Sequence, residues 1–191
     1  MSTVQPITPD PRRRHRLNVN DYYKISEAGV LTEKDRVELI EGELIDMAPI
    51  GSLHSYILNK LNRVFTKQLP ENTLVRIQDP LRLDQYSEPQ PDLVVVNNKN
   101  YSSHHPDASE CLLAIEVADS SFDYDFRVKI PLYARFKIPE VWIVELNTNK
   151  IHIFQNPSND AYLTHNELTS GTVPLKKIPH FIFDIDDLWK T

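Results

Sequence analysis

Two short stretches decide the fold that this sequence favours: PDLVVV at residues 91–96 and LLAIEVA at residues 112–118. Each is a run of aliphatic residues that carries a single acid, Asp92 in the first and Glu116 in the second. Consecutive aliphatic residues are typical of strands in a sheet that is covered on both faces. The two stretches therefore predict buried strands, in which a carboxylate is costly unless it is paired, hydrogen-bonded or bound to a metal ion.

The elements predicted around these strands complete an α/β fold with a central mixed β-sheet flanked by helices. Apolar residues recur at helical spacing from Ser52 to Leu69, and another helix is predicted within Tyr124–Phe136. The segment 21–29 is predicted to be a short helix capped by Asn20, and RVELIEGELIDM at 36–47 is predicted to be extended with a turn at Gly42. The remaining predicted strands are Thr73–Gln78, Val141–Glu145 and Lys150–Gln155, with a hairpin turn at 147–149 between the last two.

Length and composition limit the possible classes of protein. The 191 residues, 40% of them hydrophobic, suit one domain, which we place at 17–191 after a flexible basic arm at 1–16. The single cysteine excludes a disulfide framework, and four glycines without a G-x-G spacing exclude nucleotide-binding loops. The chain has neither an apolar run of roughly 18 residues nor an apolar signal core, so we expect a cytoplasmic protein without a membrane partner.

The net charge of −6 first argues against nucleic acid as a partner, because nucleic-acid binding depends on basic surface. The charge is nevertheless unevenly distributed along the chain. Residues 21–46 hold eight acids against three basic residues, whereas 60–82 and 123–137 carry local charges of +3 and +2. Together with the basic arm, these two segments predict a basic rim around an acidic centre.

The two strand acids are candidates for holding a metal ion. Strand alternation places Glu116 on the same face as Ala114 and Ala118, whose small side chains leave room beside the carboxylate. If the strands are neighbours, Asp92 and Glu116 can converge on one cation, and oxygen-only ligands favour Mg²⁺, with Mn²⁺ as a substitute. The structural alternative is that Asp92 caps a strand end and that Glu116 pairs with a nearby arginine or lysine.

Four longer stretches resemble a known family. They are RVELIEGELIDMAP followed by His54, SEPQPDLVVV, LLAIEVADSS, and DYDFRVKIPLYARFKIPEVWIVEL. In this order they resemble the Uma-type family of bacterial restriction endonucleases, within the PD-(D/E)XK nuclease superfamily, over about residues 20–150. The resemblance implies a restriction-endonuclease-like core, a divalent metal ion and DNA as the substrate.

The resemblance also implies roles for particular residues. Asp92 and Glu116 match the metal-binding acids, but the usual lysine two residues after the glutamate is replaced by Ala118. The matching lysine is Lys129 on the following helix, where it would orient or activate the attacking water. The acid of the E-L-I-x-G stretch matches Glu38, for outer-shell or second-metal ligation, and Glu41 lies close enough to substitute for it.

Several other residues receive a prediction of their own. His54 matches a family histidine near the start of the first long helix and would touch phosphate or help to position water, although a histidine at a helix start is more often a cap or packing residue. Gln78 and Gln90 are weaker candidates for the rim of the site, and Tyr133 and Trp142 are predicted to be core. His104 and His105 have no metal-ligand spacing to a partner and are set aside.

The orientation of Lys129 is not fixed by its spacing. Residues spaced by four would share one helix face, namely Asp125, Lys129, Tyr133 and Lys137. Val128, Leu132 and Phe136 would form the apolar face. Pro131 disfavours a regular helix at the residue before it and predicts a kink or a helix start beside Lys129.

The sequence therefore predicts an Mg²⁺-dependent endodeoxyribonuclease, with homodimerisation as a reasonable expectation. The alternative is a non-catalytic nuclease-fold module for DNA binding or protein assembly, which Ala118 and the acidic balance favour. A hydrolase of small phosphate esters ranks last, because no substrate-binding motif for it is recognisable.

Overall fold

The structure is a computed structural model that describes residues 15–32 and 34–190. The predicted N-terminal arm falls outside the described residues except for residues 15 and 16. Arg16 contacts the first hairpin, where its Nε donates a hydrogen bond to the carbonyl oxygen of Glu41 at 2.6 Å. In the described part of the chain, no helix is long and apolar enough to cross a membrane.

A six-stranded mixed sheet forms the centre of the fold. Its strands lie in the order β3-β4-β5-β6-β7-β8; only β5 and β6 run parallel, and all other neighbours are antiparallel. The strands are β3 Thr73–Ile77, β4 Leu93–Asn97, β5 Cys111–Ala118, β6 Glu140–Glu145, β7 Lys150–Ser158 and β8 Ala161–Leu168. The predicted fold class is confirmed, and the two stretches that decided it, β4 and β5, are neighbours.

Helices cover both faces of the sheet, as the aliphatic runs predicted. One face packs against α2 (Ser52–Gln68) and the C-terminal helix α5 (Ile185–Trp189), with Phe65 and Trp142 buried between them. The opposite face packs against a helix that begins at Phe122 and ends at Arg135. Ala114 and Ala118 lie on this second face, as strand alternation predicted.

The extended segment 36–47 forms a hairpin of its own, outside the central sheet. Its strands are β1, Val37–Ile40, and β2, Glu43–Asp46. Glu41 and Gly42 occupy the turn with φ of 50° and 86°, the left-handed pair that a tight hairpin turn requires. A Cβ on Gly42 would lie 2.6 Å from Cβ of Arg16, so the position demands glycine. All four residues of β1 are buried.

The first helix begins earlier than predicted. α1 spans Val19–Glu27, and its cap is Asn18 instead of Asn20. The Asn18 side chain accepts a hydrogen bond from the backbone N–H of Asp21, whose carboxylate accepts one from Asn18 N–H in return. This reciprocal capping box satisfies two amide groups that the predicted boundary would have left without partners.

A π-helical turn resolves the conflict between Pro131 and the predicted helix. The predicted helix consists of three consecutive parts, which are α3 at Phe122–Tyr124, a π turn at Asp125–Lys129 and α4 at Ile130–Arg135. Ile130 N–H donates to the carbonyl of Asp125, five residues back, so Pro131 falls in the first turn of α4, where no donor is needed. The prediction that Val128 belongs to the apolar face of this helix is wrong, since Val128 is 37% exposed. Lys137 lies beyond the helix at φ 61°.

The C-terminal third of the chain carries elements that the sequence patterns did not predict. These are β8, the two-stranded sheet of β9 (Thr172–Pro174) and β10 (Ile182–Asp184), and helix α5. The β8 strand alternates polar and partly buried residues at the edge of the sheet, which gives a weaker signal than the aliphatic runs of β4 and β5.

Candidate active site

Asp92 and Glu116 lie side by side where β4 begins and β5 ends. Leu93 pairs with Ile115 in the antiparallel register, so the next residues outward, Asp92 and Glu116, are neighbours. Both line one cavity of about 320 Å³ together with Glu38, His54 and Lys129. The structure thus brings all five predicted site residues into a single cleft.

The Asp92 carboxylate is fixed by three donors. Oδ1 accepts from Gln78 Nε2 at 3.0 Å, and Oδ2 accepts from the backbone N–H of Val117 at 2.8 Å. His54 Nε2 lies 3.0 Å from the same Oδ2. Burial alone would raise the pKa of Asp92, but these hydrogen bonds and the nearby imidazole lower it. Asp92 is therefore held ionised, and three of its roughly four acceptor positions are filled, which leaves one for another partner.

Lys129 lies among three acids behind this pair. Its Nζ is 3.3 Å from Glu116 Oε1, 3.2 Å from Glu38 Oε2 and 3.8 Å from Asp125 Oδ1. Its side chain is 6% exposed. Burial would lower the pKa of Lys129, but the three carboxylates outweigh it and raise that pKa well above its usual range. Lys129 is consequently a permanent cation within the cleft.

Glu38, and not Glu41, faces the site. Glu38 is 2% exposed, and its Oε2 accepts a hydrogen bond from the backbone N–H of Gln90 at 3.1 Å in addition to its ion pair with Lys129. Glu41 lies at the hairpin turn, where it pairs with Arg135 on the surface. The difference arises because β1 is buried over its whole length, whereas the turn that follows it is exposed.

Three further residues in or directly behind the cleft were not predicted as site residues. Asp125 is 3% exposed and accepts from Ser121 Oγ at 2.8 Å; burial raises its pKa to about 6. Tyr133, predicted as core, is fully buried but also donates from its hydroxyl to Glu116 Oε1 at 2.6 Å. Tyr124 lines the cavity, and its buried hydroxyl has no hydrogen-bond partner in the described part of the chain. In the sequence, the spacing of four residues between Asp125, Lys129 and Tyr133 was the signal that could have placed Asp125 and Tyr133 beside Lys129.

The two weaker candidates, Gln78 and Gln90, lie at the site, whereas the two histidines that were set aside do not. Gln78 contacts Asp92 directly, and Gln90 binds Glu38 through its backbone and lines the cavity. His104 and His105 lie away from the site: His104 Nδ1 contacts Ser103, and His105 Nδ1 lies 3.5 Å from Arg76.

The electrostatics of the cleft suit a cation. Burial raises the pKa of Glu116 well above its usual range, and Asp125, Asp92 and Glu38 raise it further against the opposing effect of Lys129. Within the described part of the chain, the Tyr133 hydroxyl and Lys129 Nζ both contact Glu116 at Oε1. Carboxylate oxygens with incomplete charge compensation are ligands that Mg²⁺ and Mn²⁺ accept. The donor set therefore fits a hard divalent ion between Asp92 and Glu116.

Several arginines of the predicted basic rim pair with acids, and most of the arm that belongs to this rim lies outside the described residues. Arg76 pairs with Asp79, Arg82 with Glu88, and Arg135 with Asp160. Of the basic residues in 60–82 and 123–137, only Lys129 lines the cavity. Arg36, which lies outside these two segments, lines it as well. Among the described residues, part of the positive charge assigned to the rim is therefore taken up by ion pairs.

The six-stranded mixed sheet is flanked by helices and carries two acids at the ends of its inner strands β4 and β5, which defines a nuclease-like fold. The chain belongs to the Uma2 family, described as "Putative restriction endonuclease", whose model matches residues 19–180. A solved structure from Anabaena variabilis, titled as a "putative nuclease belonging to DUF820", has the same fold. It superposes with a TM-score of 0.68 at 15% identity and covers 91% of this chain and 97% of its own. A search of curated proteins found no match.

Proposed function

We propose that the protein is a Mg²⁺-dependent endodeoxyribonuclease that hydrolyses DNA phosphodiester bonds in the cleft of Asp92 and Glu116. One observation carries the proposal: Lys129 Nζ lies 3.3 Å from Glu116 Oε1, in the cavity that also contains Asp92. The cleft thus contains two strand acids and a lysine, the three groups that the family resemblance implies, although the lysine comes from a helix. Mn²⁺ is expected to substitute for Mg²⁺, since both accept oxygen ligands.

Asp92 and Glu116 would hold the divalent ion, with Glu38 behind them as an outer acid. When bound, such an ion polarises a phosphoryl oxygen and lowers the pKa of a water molecule. Asp92 is suited to ligation because its hydrogen bonds to His54, Gln78 and Val117 keep it ionised and fixed in orientation.

Lys129 would act as a fixed cation. Because its pKa is raised well above the usual range, it does not accept a proton from water at neutral pH. It can instead donate a hydrogen bond that orients the attacking water, and it offsets the negative charge that develops on the phosphate. Because its contacts with Glu38, Glu116 and Asp125 already fix its position, the Lys129 side chain would need little reorganisation during the reaction.

The position of Lys129 weakens the case for the non-catalytic alternative. This alternative rested on Ala118 at the usual lysine position and on the acidic balance, and Lys129, which reaches Glu116 from the helix, weakens the first of these grounds. Homodimerisation and location in the bacterial cytoplasm stay predictions.

The test is cleavage of supercoiled plasmid DNA by the full chain with Mg²⁺ or Mn²⁺. We expect nicking or linear products that EDTA abolishes, and loss of cleavage in Asp92→Asn and Glu116→Gln. Glu71→Gln, an exposed acid outside the cleft, is the matched control and should cleave like wild type. Cleavage that persists in both site variants would refute the proposed mechanism. Absence of cleavage together with metal-dependent DNA binding would favour the non-catalytic module.

A further inference from the structure

A second group of metal-ligating side chains lies on β7 and β8. His152, His165 and Glu167 each offer one ligand atom, and these three atoms lie within 4.8 Å of one another. His152 pairs with Glu167 across the strands, and Phe154 pairs with His165, so alternation places all of these side chains on one face. None of the three ligands lines the cavity of Asp92 and Glu116. The cluster is therefore separate from the candidate active site.

The spacing of the two imidazoles suits a tetrahedral ion. His152 Nδ1 lies 3.2 Å from His165 Nε2. With Zn–N bonds of about 2.0–2.1 Å and a tetrahedral angle, two nitrogen ligands lie about 3.3 Å apart. Glu167 Oε1 is 3.9 Å from His152 Nδ1, and its side chain is 48% exposed, so a small rotation brings it to the same separation. The fourth position would be left to solvent.

A carboxylate orients the buried histidine. Glu145 Oε2 lies 3.0 Å from His152 Nε2, on the side of the ring opposite the cluster. The same Oε2 accepts a hydrogen bond from the Thr148 hydroxyl, which fixes the Glu145 carboxylate as an acceptor for His152. In neutral His152 the proton then resides on Nε2, and the lone pair of Nδ1 points toward His165. This carboxylate–histidine arrangement is the one that typically supports a metal-ligating imidazole.

Aromatic rings restrict the two imidazoles further. Phe154 stacks on His165 with ring centres 4.3 Å apart, and Phe122 packs on His152 at 5.0 Å. Phe126 contacts both histidines. The ligands are thus largely positioned before any ion binds.

We propose that His152, His165 and Glu167 form a second metal site that takes a borderline transition-metal ion of the Zn²⁺ type. Two nitrogen ligands and one oxygen favour Zn²⁺ over Mg²⁺, which prefers oxygen alone. Glu167 Oε2 is engaged by Lys150 Nζ at 3.0 Å, so Glu167 contributes Oε1 alone to the ion. Phe122 and Phe126 pack on the histidines and precede Lys129 on the same helix. A bound ion that fixes the histidines would therefore also stabilise the position of that helix.

The proposal is tested by calorimetry. Chelator-treated full-length protein is titrated with Zn²⁺ in the presence of millimolar Mg²⁺, which saturates sites made of oxygen ligands alone. We expect about one equivalent of Zn²⁺ to bind wild type, and four-coordinate Co²⁺ to give the intense visible absorption of a tetrahedral site. His165→Ala and Glu167→Gln, both at exposed positions, should lose that binding. His104→Ala, which removes an exposed histidine elsewhere, should retain it.

Glu145→Gln provides a second arm, because it leaves all three ligands in place. Loss of an outer-shell carboxylate typically weakens metal affinity by roughly 10- to 100-fold, and we expect a change in that range. Circular dichroism of each variant checks that the fold is intact. The proposal is overturned if wild type binds no Zn²⁺ at micromolar concentration, or if folded His165→Ala and Glu167→Gln bind it as wild type does.

Discussion

Replacing Lys129 by methionine tests the charge balance of the cleft. Lys129 is the cation closest to Glu38, Glu116 and Asp125, at 3.2, 3.3 and 3.8 Å. Methionine keeps most of the side-chain volume but removes the positive charge. The variant therefore buries three carboxylates that have lost their common partner.

The structure gives the size of the effect. At an effective dielectric constant of about 20, each of the three pairs contributes about 4–5 kcal/mol of Coulomb attraction. Desolvation of the lysine and repulsion among the acids offset much of this sum, and breaking a buried ion pair typically costs about 3–5 kcal/mol. We expect the free energy of unfolding to fall by that amount, and Glu38→Gln in the same chain to recover part of the loss.

Urea unfolding in EDTA, followed by the fluorescence of the buried Trp142, measures this loss. Lys67→Met is the matched control, because Lys67 is exposed on α2 and should change stability by less than about 0.5 kcal/mol. The charge-balance reasoning is refuted if Lys129→Met is as stable as Lys67→Met. It is also refuted if adding Glu38→Gln destabilises the Lys129→Met variant further.

Two further predictions concern the core. Phe65 is fully buried and stacks on Phe181 at 4.8 Å, so Phe65→Ala should lower the free energy of unfolding by about 3–5 kcal/mol, against little change for the exposed Leu163→Ala. Burial raises the pKa of Glu140, despite hydrogen bonds from Lys176 N–H and Trp142. A raised folded-state pKa stabilises at low pH, so the stability of wild type relative to Glu140→Gln should fall as the pH rises above about 4.5. A rise over that range in urea unfolding would contradict the second prediction.

The pair of strand acids was predictable from local pattern. Aliphatic runs define β4 and β5, and alternation along β5 assigns Glu116 to the face of Ala114 and Ala118. The two carboxylates lie together once β4 and β5 pair as neighbouring strands, and this pairing was the only further step that the prediction required. The resemblance added Lys129 and Glu38, which no local pattern would have selected.

Other features depended on choices that local pattern does not make. Asn18 and Asn20 are both good cap residues, and the reciprocal bond with Asp21 selects Asn18. The cluster of His152, His165 and Glu167 was not predictable from local pattern, because its members lie on two strands and the β7–β8 register brings them together. Their spacing in sequence resembles no metal-binding motif.

The sequence by itself determined a mixed α/β sheet covered on both faces, with one acid on each of two central strands, because hydrophobic periodicity is a local property. The tertiary structure alone decided which charges meet those acids. Lys129 enters the cleft through the π turn that precedes Pro131, and β1 is buried so that Glu38, but not Glu41, lies beside Lys129. These contacts join residues far apart in the chain, and their geometry depends on packing that no short segment specifies.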